Sequence, residues 1–155
     1  MTNVLFRRAR EEDLGDLVRL LVDDDLGRTR EAPPPSVDTV DDAYQLAFDA
    51  IDSDDRQLLV VAEVDGAVAG TLQLTFIPNL TLRGGERAQL EGVRIDRECR
   101  GSGLGHQMVA WAVEQARVRG CRLVQLTTDK QRVDARRFYE SLGFVASHEG
   151  MKLML

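Results

Sequence analysis

The sequence predicts an α/β fold, with helices alternating with the strands of one central sheet, and two stretches carry that reading. Leu58–Val64 and Ala67–Phe76 are runs rich in Val and Leu, joined by Asp65-Gly66, the dipeptide of a two-residue β-hairpin turn. Leu90–His106 joins a strand-like run to a turn holding Gly101, Gly103 and Gly105. Beyond it Leu104, Met108, Trp111 and Ala112 recur at helical spacing, closed by Gly120.

The other elements follow in order. Val4–Arg8 is a short apolar strand, and Glu11–Val22 a helix with Leu14, Leu17, Val18 and Leu21 on one stripe and acids in its first turn. Asp23-Asp24-Asp25, Gly27 and Pro33-Pro34-Pro35 cannot continue a helix, so a loop runs to Asp38, which caps a second helix through Ala43, Leu46, Ala47 and Ala50. After the turn at Gly84-Gly85, Ala88–Ile95 returns as a third adjacent strand. Arg122–Thr128 is the next strand and Val133–Leu142 a short helix capped by Gly143. Phe144–Ser147 and Met151–Met154 are closing strands.

A chain of 155 residues, 43% hydrophobic and 30% charged, is the size of one domain spanning residues 1–155. No apolar run approaches the ~20 residues of a membrane helix, and the start lacks the order of a secretory signal, so a cytoplasmic protein without a membrane partner is expected. Cys99 and Cys121 have no Cys-x-x-Cys or histidine cluster nearby, so neither a disulfide framework nor a metal site is expected. The net charge is −6, but residues 11–55 carry fifteen acids against three arginines, leaving +6 for the rest. Such asymmetry fits a cationic partner near the acidic part and an anionic one near the basic part; solvated helix faces are the competing reading. An acidic chain argues against nucleic acid.

The glycine turn has the shape of a phosphate cradle. First-turn amides lack intrahelical partners and the helix dipole is positive there, so the turn suits a pyrophosphate with Arg100 at its mouth. A tight strand-to-helix connection without a ligand is the alternative. A P-loop is excluded because Gly105 is followed by His106 and Gln107 rather than Lys-Ser/Thr. The dinucleotide fingerprint fits badly, because the third glycine belongs three residues after the second, where His106 stands.

Arg100-x-x-Gly103-x-Gly105 resembles the acetyl-CoA pyrophosphate motif of the GNAT (Gcn5-related N-acetyltransferase) superfamily. Leu90-Glu91-Gly92-Val93-Arg94-Ile95 resembles that family's fourth strand, and Asp134–Phe144 its C-terminal helix and following strand. The resemblance implies a GNAT fold, with a mixed, mostly antiparallel central sheet flanked by helices. It also implies acetyl-CoA as co-substrate, with Arg100, Gly101, Ser102, Gly103, Leu104, Gly105 and His106 in the cofactor turn. Direct acetyl transfer to a primary amine of a small molecule or peptide is the implied activity. A non-catalytic acyl-CoA sensor or scaffold of the same fold is the rival reading, for which Glu91 and Tyr139 would be unnecessary.

Strand alternation puts Glu91, Val93 and Ile95 on one face, beside the backbone expected to follow the pantetheine. Glu91 is the expected general base, similar to the family's strand-four glutamate; a carboxylate held by a neighbouring arginine is the structural alternative. Gly92 inside the strand points to a bulge or close ligand approach. A splay like the family's would let the Val93 amide serve as oxyanion donor and the Ile95 backbone pair with pantetheine. By the same resemblance Tyr139 lies near the CoA sulfur as a hydrogen-bond donor or acid. Where many members carry Asn this chain has Arg132, and Lys130, Arg132 and Arg136 form a basic fork for the adenosine 3'-phosphate. The lone histidines, His106 and His148, read as structural. The family's acceptor pocket lies by the loop of Asp23, Asp24 and Asp25, which implies a cationic acceptor. The C-terminal edge strands imply a homodimer.

Overall fold

Alternating apolar side chains build a five-stranded sheet in the computed structural model, which describes residues 3–23 and 41–155. Its strands are β1 (Val4–Arg8), β2 (Gln57–Val64), β3 (Ala67–Ile77), β4 (Arg87–Ile95) and β5 (Leu123–Leu126), adjacent in that order. All neighbours run antiparallel except β4 and β5, which are parallel. The β2–β3 hairpin turns at Asp65-Gly66, as the dipeptide predicts.

Two apolar layers cover the sheet. On one face Val60, Leu72, Leu74, Ala88 and Leu90 meet Leu104, Met108, Val109 and Ala112 of α3 (Leu104–Arg119). On the other, Val61 meets Leu14, Leu17 and Val18 of α1 (Leu14–Val22) and Phe48 of α2 (Asp42–Asp52). A short α4 (Val133–Ser141) follows β5, and Gly143 beyond its end adopts the left-handed conformation expected of a helix stop. Arg7 of β1 binds both Asp13, at 2.7 Å, and Glu63, at 2.9 Å, tying the start of α1 to the sheet. Among the described residues no helix is long and apolar enough to cross a membrane.

Several predicted details differ. In α1 the buried residue is Leu20 rather than Leu21; it follows Leu17 by three positions and stays within the inward stripe. The cap of α2 is Asp41, whose side chain accepts from the Ala43 amide; Asp38 lies outside the described residues. Phe48, with Tyr44 beside it, turns inward, while Ala43, Leu46, Ala47 and Ala50 face out. Burying the aromatic rings removes more apolar area from water than burying three alanines and a leucine. The predicted strand Arg122–Thr128 shortens to Leu123–Leu126. The closing strands Phe144–Ser147 and Met151–Met154 do not form: a strand needs a ladder partner, and residues 144–155 have none among the described residues. Val145 and Met151 are left 81% and 94% exposed. The edge strands from which a homodimer was expected are therefore not present as strands.

Candidate active site

The site grows from one backbone irregularity in β4. Gly92 has φ of +60°, a left-handed conformation that a side chain would disfavour, and the β3–β4 register shifts at this point. Gln73 faces Glu91 whereas Thr71 faces Arg94, so β4 carries one extra residue. The predicted bulge is present, and it overturns the prediction that Glu91, Val93 and Ile95 share a face. Leu90 packs in the α3 core, which puts Glu91 on the opposite face; past the bulge Val93 and Ile95 return to the α3 side. Simple alternation does not survive an inserted residue. Glu91 is exposed.

The second feature is a gap between strands. β5 pairs with β4 only from Arg87–Leu123 to Leu90–Leu126, and β4 then runs five residues further alone on that side. Among the described residues the outer backbone edge of Gly92–Ile95 has no strand partner; the Val93 carbonyl accepts from Arg94 Nη1 at 2.9 Å, a contact that a ligand pairing there as an added strand would replace. Tyr139 of α4 packs into the same core cluster, its ring centroid 5.0 Å from Phe138 and 5.8 Å from Phe144. Burial pushes its phenol pKa up, with Arg94 and Arg132 pulling the other way. Tyr139 therefore stays protonated at neutral pH.

The glycine turn lies at the end of β4, after a helical turn at Arg97–Cys99. Gly101 and Gly103 have φ of +77° and +85°, and a Cβ at either would meet nothing within 4 Å. The concave side is open, as a cradle requires. At Gly105 a Cβ would stand 3.4 Å from the Phe138 ring, at the edge of ordinary contact, so α4 packs closely on the start of α3. The Leu104 amide donates to Ser102 Oγ at 3.4 Å while its side chain is buried in the core. Ser102 Oγ in turn donates to the Cys99 carbonyl at 2.6 Å. The first helical backbone bond is made by Gln107, so among the described residues the amides of Gly105 and His106 have no backbone acceptor and can face an anion. His106 bridges helices, its Nε2 3.2 Å from Ser141 Oγ and its ring 4.7 Å from that of Phe138, consistent with a structural role.

Sequence reasoning missed the lock behind this turn. Asp96 Oδ1 accepts from the Glu98 amide and Oδ2 from Arg19 of α1 at 2.6 Å. Asp23, at the end of α1, accepts from Arg97 at 3.0 Å, and its carbonyl and carboxylate lie 3.2 and 3.6 Å from Arg100 Nη2. Arg100 Nε also donates to the Ile95 carbonyl at 3.1 Å. Asp96 is held below the usual carboxylate range by Arg19 above all. The only signal in the sequence was Asp96 placed two residues before Glu98 at a strand end, an Asx-cap pattern.

Asp23 thus spends its charge on two arginines and does not stand as a free carboxylate for a cationic acceptor; Asp24 and Asp25 lie outside the described residues. The expected phosphate fork is engaged in exposed ion pairs, Lys130 with Glu149 and Arg136 with Glu140, each at 2.9 Å. Pairs at the surface contribute little and yield readily to a phosphate. The amides around the turn, the open cradle and the strandless β4 edge fit acetyl-CoA, whose pyrophosphate residues 100–106 would hold and whose pantetheine would run beside Val93 and Ile95. Among the described residues no cluster of His, Cys, Asp and Glu could hold a metal ion.

Comparison with known proteins agrees with this geometry. The acetyltransferase (GNAT) family matches residues 16–144. A glucosamine 6-phosphate N-acetyltransferase of Trypanosoma brucei brucei is 31% identical over 163 aligned positions, covering all of both chains. An aminoalkylphosphonate N-acetyltransferase of Salmonella typhimurium is 47% identical over 49 residues, about a third of each chain. The crystal structure of a transcriptional regulator from Bacillus halodurans C-125 superposes with a TM-score of 0.94 at 49% identity, covering 99% of this chain and 100% of that one. The family motifs, the bulged strand with its gap and the matching relatives together make this chain a member of the GNAT family, an acetyl-CoA-dependent N-acetyltransferase.

Proposed function

We propose that the protein transfers the acetyl group of acetyl-CoA directly to a primary amine of a small molecule, with Glu91 as base and Tyr139 as donor to the departing thiolate. The observation that carries this reading is the bulge at Gly92, which sets Glu91 on one sheet face while Val93 and Ile95 line the other beside the gap. The acceptor arrives as an ammonium cation and gives one proton to Glu91, directly or through a water. The free amine attacks the thioester carbonyl, the Val93 amide stabilises the oxyanion, and as the C–S bond breaks the proton shed by the attacking nitrogen passes to the departing sulfur, which leaves as the free thiol. A phenol whose pKa is raised does not surrender its proton fully to a thiolate of pKa about 8.5, so Tyr139 stabilises the leaving sulfur by a hydrogen bond. The names of two relatives, which act on glucosamine 6-phosphate and aminoalkylphosphonates, favour a small-molecule acceptor over a peptide.

Glu91→Gln tests the assignment. The rate is expected to fall most below the acceptor's pKa, with acetyl-CoA affinity nearly unchanged. A variant with the wild-type pH profile moves the role of base elsewhere.

The Bacillus halodurans relative is named a transcriptional regulator, which favours as a second reading a domain that binds acyl-CoA without turning it over, and release of free thiol in the presence of an amine separates the two. We further propose self-association through residues 144–155, whose apolar Val145, Met151, Leu153 and Met154 are exposed. Light scattering is expected to report a dimer, and deletion of residues 151–155 a monomer.

A further inference from the structure

We infer that the acceptor carries an oxyanion, a phosphate, phosphonate or carboxylate at some distance from its amine, and that Arg87 and Asn79 bind it. The inference rests on the acetyl-transfer reading for the amine end and on separate observations for the anionic end. The regular register of β4 up to the bulge puts Arg87, Gln89 and Glu91 on the sheet face away from α3, because Ala88 and Leu90 between them are buried beneath that helix. Polar side chains of the neighbouring strands continue this face. Thr75 and Gln73 both donate to Gln57, and Gln125 of β5 donates to Gln89 at 2.7 Å. A row of hydrogen-bonding groups thus leads from the base, Glu91, to the start of the strand, about 13 Å away at ~3.3 Å per residue.

At that far end two donors have no acceptor. Arg87 is half-buried, and its Nε is buried without a hydrogen-bond partner among the described residues. Asn79 Nδ2 is in the same condition. The orientation of the Asn79 amide is fixed, because its Oδ1 accepts from both the amide and the hydroxyl of Thr81, at 2.9 and 2.6 Å. Across the β3–β4 ladder Arg87 faces Ile77, two residues before Asn79, so both donors belong to one corner of the sheet. A buried donor without an acceptor destabilises the fold, so two at one corner call for an explanation. An oxyanion supplies what a neutral ligand does not, several acceptor lone pairs and a charge to match the guanidinium.

The test titrates CoA-saturated protein calorimetrically with ω-aminoalkylphosphonates of increasing chain length, ω-amino acids of matched length and the corresponding neutral alkylamines. Anionic amines are expected to bind at least roughly tenfold more tightly than neutral ones, the effect of one charge-assisted hydrogen bond. The better of the two anionic series identifies the oxyanion. Arg87→Gln removes the charge, and Asn79→Asp replaces the free donor with a repelling oxygen while keeping the acceptor for Thr81. Each is expected to abolish the preference with CoA affinity unchanged, and a preference that survives in both overturns the inference, as does its absence in the wild type. Thiol release is read in parallel. Turnover of neutral and anionic amines alike refutes the oxyanion site and leaves acetyl transfer standing. Anion-dependent binding without any turnover refutes the transfer reading and leaves the site standing.

Discussion

Gly103 is the position at which the cofactor assignment is most exposed to test. It precedes α3 with φ of +85° and ψ of −2°, and a Cβ there would meet nothing within 4 Å. Gly103→Ala therefore creates no clash. Its cost is the left-handed backbone, about 1–2 kcal/mol, which lowers Tm by about 2–8 °C for a domain of this size. Gly103→Glu carries the same strain and adds a carboxylate at the open mouth of the turn. One unit charge about 5 Å from a pyrophosphate oxygen, at an effective dielectric constant of about 20, opposes binding by about 3 kcal/mol, more than a hundredfold in Kd. Comparing the two variants removes the backbone contribution and isolates the ligand. Calorimetric titration with CoA is expected to show modestly weakened binding for Ala and a loss of more than a hundredfold for Glu. High salt should narrow that gap. Equal CoA affinity in the two variants would refute the cradle.

Two further predictions concern the scaffold. Met108 is 0% exposed beneath the sheet, and Met108→Ala is expected to cost about 2–5 kcal/mol in urea denaturation; a loss under 1 kcal/mol would contradict the packing described. Asp13, with a 6% exposed side chain, is held below the usual carboxylate range chiefly by its hydrogen bond to Arg7. A depressed carboxyl supplies stability that is complete above its unfolded pKa of about 3.9 and fades as the pH falls below it. Asp13→Asn should thus be less stable than wild type by about 3 kcal/mol near neutral pH, with the gap closing below about pH 4. A gap independent of pH would refute the ion pair's role.

The features legible in the sequence were those set by local chemistry. Asp65-Gly66 specified a hairpin, and the spacing of Leu104, Met108 and Ala112 up to Gly120 specified α3. The glycine turn and its place between strand and helix were read from residues 90–106 alone. What stayed hidden depends on non-local partners. Gly92 announced a bulge, yet its consequence, that Glu91 parts company with Val93 and Ile95, follows only from the register against β3. The pairing of Asp23 with Arg97 and Arg100 joins residues more than seventy positions apart, which no periodicity reveals. The apolar pattern of Phe144–Ser147 and Met151–Met154 looked like strands because pattern reports propensity, whereas a strand exists only where a neighbour completes its ladder. The orphaned donors of Arg87 and Asn79 likewise became visible only once burial was known.

The most direct test of the central claim is the release of free CoA thiol from acetyl-CoA by the purified protein, measured across a panel of primary amines with mass detection of the product. The account predicts amine-dependent thiol release matched one-to-one by an acceptor heavier by one acetyl group, and a sharp loss of both in Glu91→Gln. Tight binding of acetyl-CoA with no thiol release for any amine would contradict it and leave the chain a binder of the cofactor.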